Sequence, residues 1–231
     1  MKDIYLNGSY LEQNPTWHEE DSPWKAKQIK KIILKNKLGI STICEVGCGS
    51  GEILNQLYFN LNNDIRYFGY ELSPQAFEIC KRKSKQNLIF LNLDFLKEED
   101  TNFDLLLIID IVEHIEDYMG FIKEIKNKAK YKIFHIPLEL SAQTILRAYP
   151  LTKSRHLYGH IHYFTKEIIL ASLIDAGYKI VDSFYTAGMI ELPSLEWKQK
   201  LLKLPRKIFF TMSKDLTVRI LGGFSLLILT E

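Results

Sequence analysis

The segment Glu45-Val46-Gly47-Cys48-Gly49-Ser50-Gly51 constrains this chain more than any other. An apolar run, Ile43 to Val46, meets three glycines on alternate positions, and helically spaced apolar residues follow at once. Glycine alone takes positive φ and admits a ligand close to the backbone at little steric cost, so the spacing predicts a buried strand turning sharply into a helix across a cofactor loop. A dinucleotide loop, G-x-G-x-x-G, would place its last glycine at position 52. The chain has Glu52 there, and its third glycine comes one residue early at Gly51. A carboxylate on the helix N-terminus is also unfavourable for a diphosphate. The first rival reading, an NAD-dependent oxidoreductase, is disfavoured on both counts.

Three more apolar runs end in polar residues. Tyr67 to Tyr70 leads into Glu71-Leu72-Ser73, about 20 residues after the glycine loop, where a carboxylate can accept both hydroxyls of a ribose. Leu88 to Leu93 ends at Asp94-Phe95, and Phe103 to Ile109 at Asp110-Ile111-Val112-Glu113-His114. Helical patterns fall between them: Trp24 to Lys37 after Pro23, Glu52 to Leu61, Pro74 to Cys80, and residues 116 to 128. A fifth strand, Lys132 to Ile136, is expected to stop at Pro137; a helix over Thr165 to Ala176 capped by Gly177 and strands at Tyr178 to Tyr185 and Phe224 to Leu229 complete the chain. This alternation implies an α/β fold, a parallel sheet with helices on both faces that binds its ligand beyond the C-terminal strand ends.

These motifs, in this order, resemble those of the class I S-adenosylmethionine-dependent methyltransferases over about residues 40 to 185. The resemblance implies a Rossmann-like, seven-stranded, mostly parallel sheet with the last strand antiparallel, and S-adenosylmethionine as cofactor. It implies a cofactor site of Glu45, Gly47, Cys48, Gly49, Gly51, Glu71, Leu72, Asp94, Phe95, Asp110 and Ile111, with Asp94 where the family accepts from the adenine amine. Residues 41–231 would form the methyltransferase domain. Residues 1–40, an aromatic segment and a helix, would cover the cleft, with Tyr10, Trp17 and His18 as a wall tolerant of a sulfonium cation.

A sulfonium methyl is already electrophilic, so the protein must align the acceptor, exclude water and, for a hydroxyl acceptor, take a proton. The candidate bases are His114, after the fourth strand, and His160 and His162, which would share a face if that segment is extended. Asp110, Glu113 and His114 stand at i, i+3 and i+4, and a helical turn would gather them, with His160 as a fourth ligand, into a divalent site for Mg²⁺ or Mn²⁺. That set resembles the metal site of RNA 2′-O-methyltransferases of small-RNA ends and of some quinone O-methyltransferases, although the usual first Glu is Asp110 here. The same Glu-His pair occurs in relatives that need no metal.

Residues 138–164 are long for a connection and read as an acceptor lid, with Arg147, Lys153 and Arg155 against Glu139 favouring an anionic or phosphate-bearing acceptor. Residues 194–220 read as a basic helical insertion whose apolar face covers the sheet; it could also dock on an anionic membrane surface or a partner, though Pro205 is expected to divide it. A net charge of only +2 gives no field for nucleic acid. Three cysteines in no metal or disulfide spacing, no apolar leader and no membrane-length run point to the cytoplasm. The expected reaction is O-methylation of a small polar, anionic or glycan-linked acceptor, such as a surface-polysaccharide precursor carrying a sugar hydroxyl, phosphate or phosphoramidate. A non-catalytic binding protein is the second rival. The acceptor atom and the number of subunits are left open.

Overall fold

The computed structural model describes residues 8–17, 19–62, 64–99, 101–193 and 197–231. His18 and Glu196 lie outside these, as do the side chains of Trp197 and Lys198. A short helix α1 (Ser9–Gln13) precedes α2 (Ser22–Lys35), β1 (Thr42–Val46), α3 (Glu52–Asn60), β2 (Arg66–Tyr70), α4 (Pro74–Cys80), β3 (Leu88–Leu91), β4 (Phe103–Ile109) and α5 (Tyr118–Glu124). Then come β5 (Ala129–Leu138), α6 (Ala142–Arg147), α7 (Tyr149–Leu157), α8 (Lys166–Asp175), β6 (Ile180–Thr186), α9 (Gly188–Glu191), α10 (Trp197–Met212), α11 (Lys214–Leu221) and β7 (Phe224–Thr230).

The seven strands form one sheet in the order β3-β2-β1-β4-β5-β7-β6. β7 runs antiparallel to both its neighbours, β5 and β6, and the other pairs are parallel. Parallel strands need crossover helices, and these cover both faces, which explains why the central strands are apolar throughout rather than alternating. One core packs Ile29 and Ile32 of α2 and Leu54 and Leu57 of α3 against Ile43, Leu105 and Leu107. The opposite core packs Phe121 and Ile122 of α5 and Ile169 and Leu173 of α8 against Leu106, Ile108 and Phe134.

Three expectations change. β5 continues through Pro137 to Leu138. β4 ends opposite His135, and β5 pairs only with β7 from there on, so the missing proline N–H leaves no bond to β4 unmade. The 138–164 connection is built from α6 and α7, the first opened by a capping box in which Ser141 Oγ accepts from the Thr144 N–H and Thr144 Oγ1 accepts from the Ser141 N–H. Lastly, Pro205 does not divide the 194–220 insertion: α10 is continuous through it.

Candidate active site

The C-terminal ends of β1, β2, β4 and β5 open on a cleft of about 1400 Å³. At its cofactor end Gly47, Gly49 and Gly51 all take positive φ, +62°, +53° and +73°. A Cβ at Gly47 would lie 2.6 Å from Ile111 Cδ1, a side-chain end that would have to shift, on top of the positive φ that favours glycine there. The Gly49 N–H donates to Glu71 Oε2 and the Ser73 N–H to Glu71 Oε1, both at 2.7 Å. These bonds fix the Glu71 carboxylate at the end of β2, while burial raises its pKa above the usual carboxylate range. Cys48, Leu72, Asp94 and Phe95 line the same end, with Asp94 Oδ1 accepting from the Leu96 N–H at 3.2 Å.

Glu45 is the buried acid of β1, and its Oε2 has no hydrogen-bond partner among the described residues. Burial pushes its pKa well up, against the pull of the Lys25 ammonium. An orphaned buried carboxylate oxygen in a cleft also walled by Glu71, Asp94 and Asp110 calls for a cation and opposes a diphosphate. The residues fit a cofactor carrying an ammonium and a sulfonium. Glu52, expected to repel a phosphate, does not face the cleft: its carboxylate is engaged by Lys83, Asn55 and Gln56. Tyr10 and Trp17, their ring centroids 4.8 Å apart, form the outer wall. Asn14 ties that wall to the end of α7, its Nδ2 donating to the Leu157 carbonyl at 3.3 Å.

Asp110 leaves the face of Glu113 and His114. Its φ is +54°, outside the single 3-10 turn Val112–His114. The side chain meets Lys25 Nζ at 2.8 Å and His135 Nδ1 at 2.6 Å, and His135 Nε2 lies 2.9 Å from Thr186 Oγ1. These two bases hold the Asp110 carboxyl far below the usual range. A carboxylate so paired is not free to ligate a metal, and the i, i+3, i+4 cluster loses its first member.

At the other end of the cleft, Glu113, His114 and His160 bring one ligand atom each within 4.8 Å of one another. The Glu113 main-chain carbonyl accepts from the N–H groups of Ile161 and His162, at 2.9 and 3.1 Å, and so stitches the end of the 138–164 connection to the β4 loop. The His114 Nδ1–H donates to the Gly159 carbonyl at 3.3 Å, and burial lowers its pKa to about 4. The His160 Nδ1–H donates to Glu139 Oε2 at 2.7 Å, while Ser154 Oγ holds Glu139 Oε1 at 2.5 Å. Nδ1 being the donor, Nε2 is the basic nitrogen of His160. Glu113 is fully buried, neither carboxylate oxygen has a hydrogen-bond partner among the described residues, and burial with the nearby Asp110 pushes its pKa well up.

His162 is placed elsewhere: it does not line the cleft, its Nε2–H donates to the Glu116 carbonyl at 3.1 Å, and its ring packs on Tyr118 and Phe164. Gly51 also stays out of the cleft, starting α3 against Phe90 and Cys80. Arg147, Lys153 and Arg155 are exposed on α6 and α7 and do not line the cleft, whereas the acid of the same connection, Glu139, does. Sequence reasoning missed Lys25, His135 and the Glu139–His160 pair. The one available signal was an imidazole, His135, inside the otherwise apolar run Ile133 to Leu138.

Residues 44–131 match a family model described as a methyltransferase domain. An uncharacterized protein of Methanocaldococcus jannaschii is 25% identical over 154 residues, which are 66% of this chain and 60% of the relative, so the chain spans less than two thirds of that protein. The fold is similar to that of magnesium protoporphyrin IX methyltransferase from Synechocystis PCC 6803, solved with bound S-adenosylhomocysteine (TM-score 0.60, 14% identity, 90% of this chain and 82% of that one). It is also similar to the N-methyltransferase NodS of Bradyrhizobium japonicum WM9 (0.56, 15%, 89% and 84%) and to the cyclase SpnF (0.59, 15%, 88% and 80%). A cyclase among these likenesses shows that the fold alone does not fix the reaction. Glycine loop, strand order and orphaned acid agree with the family match: residues 44–131 are similar to a methyltransferase domain, and the fold is similar to that of S-adenosylmethionine-dependent methyltransferases.

Proposed function

We propose that this enzyme transfers the methyl group of S-adenosylmethionine to a hydroxyl oxygen, with His160 Nε2 as the base. The Glu139–His160 pair carries the reading: a carboxylate 2.7 Å from Nδ1 fixes the tautomer and steadies the imidazolium that forms when Nε2 takes the acceptor proton. In the transfer, the acceptor oxygen forms a bond to the methyl carbon as the carbon–sulfur bond breaks, and S-adenosylhomocysteine leaves. His114, neutral around pH 7, is a positioning residue against the His160 ring, whose centroid is 4.8 Å away.

Residues 138–164 serve in this reading as the acceptor lid, and residues 8–40 as the cover of the cofactor. Lined by Glu113, Glu139, His114, His160 and Tyr158, the acceptor end suits a neutral polar group better than a phosphate or phosphoramidate. A sugar hydroxyl of a glycan precursor fits it. Three free, buried cysteines suit a reducing cytoplasm.

One observation favours a second reading. The Glu113 carboxylate, which has no hydrogen-bond partner among the described residues, could hold a divalent cation with His114 and His160, and two imidazoles with one carboxylate suit Mn²⁺ better than Mg²⁺. Such an ion would acidify the acceptor hydroxyl. His160→Ala should lower kcat by about 10²–10⁴-fold with S-adenosylhomocysteine affinity unchanged, and Glu139→Gln should cost less. Unchanged turnover in His160→Ala would remove the base. Full activity in EDTA supports the base reading, and loss restored by Mn²⁺ supports the metal.

A further inference from the structure

Helix α10 presents its apolar side to solvent. Arg206 points inward, donating from Nη1 to the Gly222 carbonyl at 2.7 Å and from Nη2 to the Leu221 carbonyl at 3.1 Å, which anchors α10 to the end of α11. Phe210 stacks on Phe224 with centroids 4.9 Å apart, and Lys203 Nζ donates to the Leu192 carbonyl. On a 3.6-residue helix these three share the protein-facing side. The opposite arc holds Leu201, Leu204, Ile208 and Met212, which are 65%, 67%, 52% and 76% exposed. A globular helix turns that stripe toward its core, so the orientation is inverted.

The apolar surface extends further. α11 packs on α10 and on α6, adding Leu216 and Ile220, 56% and 45% exposed. α6 adds Leu146, 86% exposed. Charge identifies the occupant. From Trp197 to Lys214 the sequence has six basic residues and no acid. Lys200 and Lys207 lie on the flank of the apolar arc, outside every ion pair found among the described residues. Exposed apolar residues bordered by lysines are the pattern of a helix lying in the headgroup region of an anionic bilayer. A second copy is a poorer occupant, because an isologous contact would set one lysine flank against another. Among the described residues no helix is long and apolar enough to cross a membrane, so the contact is with the surface only.

We propose that α10 and α11 dock this enzyme on an anionic lipid surface. The face adjoins the cleft: Met189, Leu192 and Pro193 line the cleft, and the Leu192 carbonyl accepts from Lys203 Nζ of α10. Docking would thus present the cleft to acceptors held at the bilayer, although the proposal stands apart from the identity of the acceptor.

Co-sedimentation of the full chain with vesicles of phosphatidylcholine, alone or mixed with phosphatidylglycerol, tests this. The protein should pellet with the mixed vesicles at low salt and not with the neutral ones. Lys200→Gln with Lys207→Gln should weaken binding by about tenfold or more, and Leu204→Glu with Ile208→Glu and Met212→Glu should abolish it. All five side chains are surface groups, so retained S-adenosylhomocysteine binding by each variant confirms an intact fold. Absence of pelleting with the mixed vesicles, or equal pelleting of the apolar variant, overturns the proposal. A concentration-dependent dimer in ultracentrifugation that the apolar variant dissolves would also overturn it, by showing that a second copy covers the face.

Discussion

At Gly51, φ is +73°, and a Cβ there would lie 2.6 Å from Phe90 Cε1 and 2.7 Å from Cys80 Cβ. Both neighbours are buried, in β3 and α4, so neither can give way freely. Gly51→Ala should therefore cost about 2–4 kcal/mol, from the left-handed penalty and overpacking together, as measured by urea unfolding. Gly51 was legible in the sequence as part of the loop, but its role is to let α3 start against the sheet. Asp110 shows the opposite limit. Spacing put it beside Glu113 and His114, yet a positive φ and two basic partners, Lys25 and His135, take it away. No local pattern marks that, because the partners come from α2 and β5.

Lys132 lies in β5, only 3% exposed, with its Nζ 5.5 Å from the centre of the Tyr178 ring. Burial, helped by the Lys126 charge, pushes its pKa down to about 8. An unfolded lysine titrates near 10.4, so between about pH 8 and pH 10.4 the unfolded chain keeps a proton that the native state has lost, and stability rises with pH through that window. Below it the native strand carries a buried charge. Lys132→Met should stabilise the protein by about 1–3 kcal/mol at pH 7, with the gain shrinking toward zero by pH 10.4; parallel urea titrations at the two pH values decide it. The same strand shows how element limits escape sequence reading. Pro137 signals a stop, but whether a missing N–H matters depends on which strand lies beside it, and at that point only β7 does. In α10 the helical period was legible, while the direction of its apolar arc was set by Arg206 and Phe210 finding partners in distant segments.

Across the whole molecule, the cleft joins carboxylates from four strand ends, Glu45, Glu71, Asp94 and Asp110, with the N-terminal segment and the 138–164 connection, which share the Asn14–Leu157 bond. Ligand binding should therefore stabilise the domain as a unit. S-adenosylhomocysteine at about 100 times its Kd should contribute about 2.7 kcal/mol, a rise of roughly 5–10 °C in Tm for a chain of this size. NAD should give none, since its diphosphate would meet the acids at Glu45 and Glu71. Differential scanning fluorimetry with both ligands measures the contrast.

The strand-and-helix order, the glycine loop and the acids at successive strand ends were determined by the sequence itself, because periodicity and glycine spacing act within a few residues of chain. The alternating α/β order follows from them, and the cofactor class from the family resemblance that these motifs carry. Tertiary structure alone decided that Asp110 is bound to Lys25 and His135, that Glu139 orients His160 while His162 turns away, and that α10 shows its apolar side to water. Each is a contact between residues far apart in the chain, where burial and partner geometry override any local pattern.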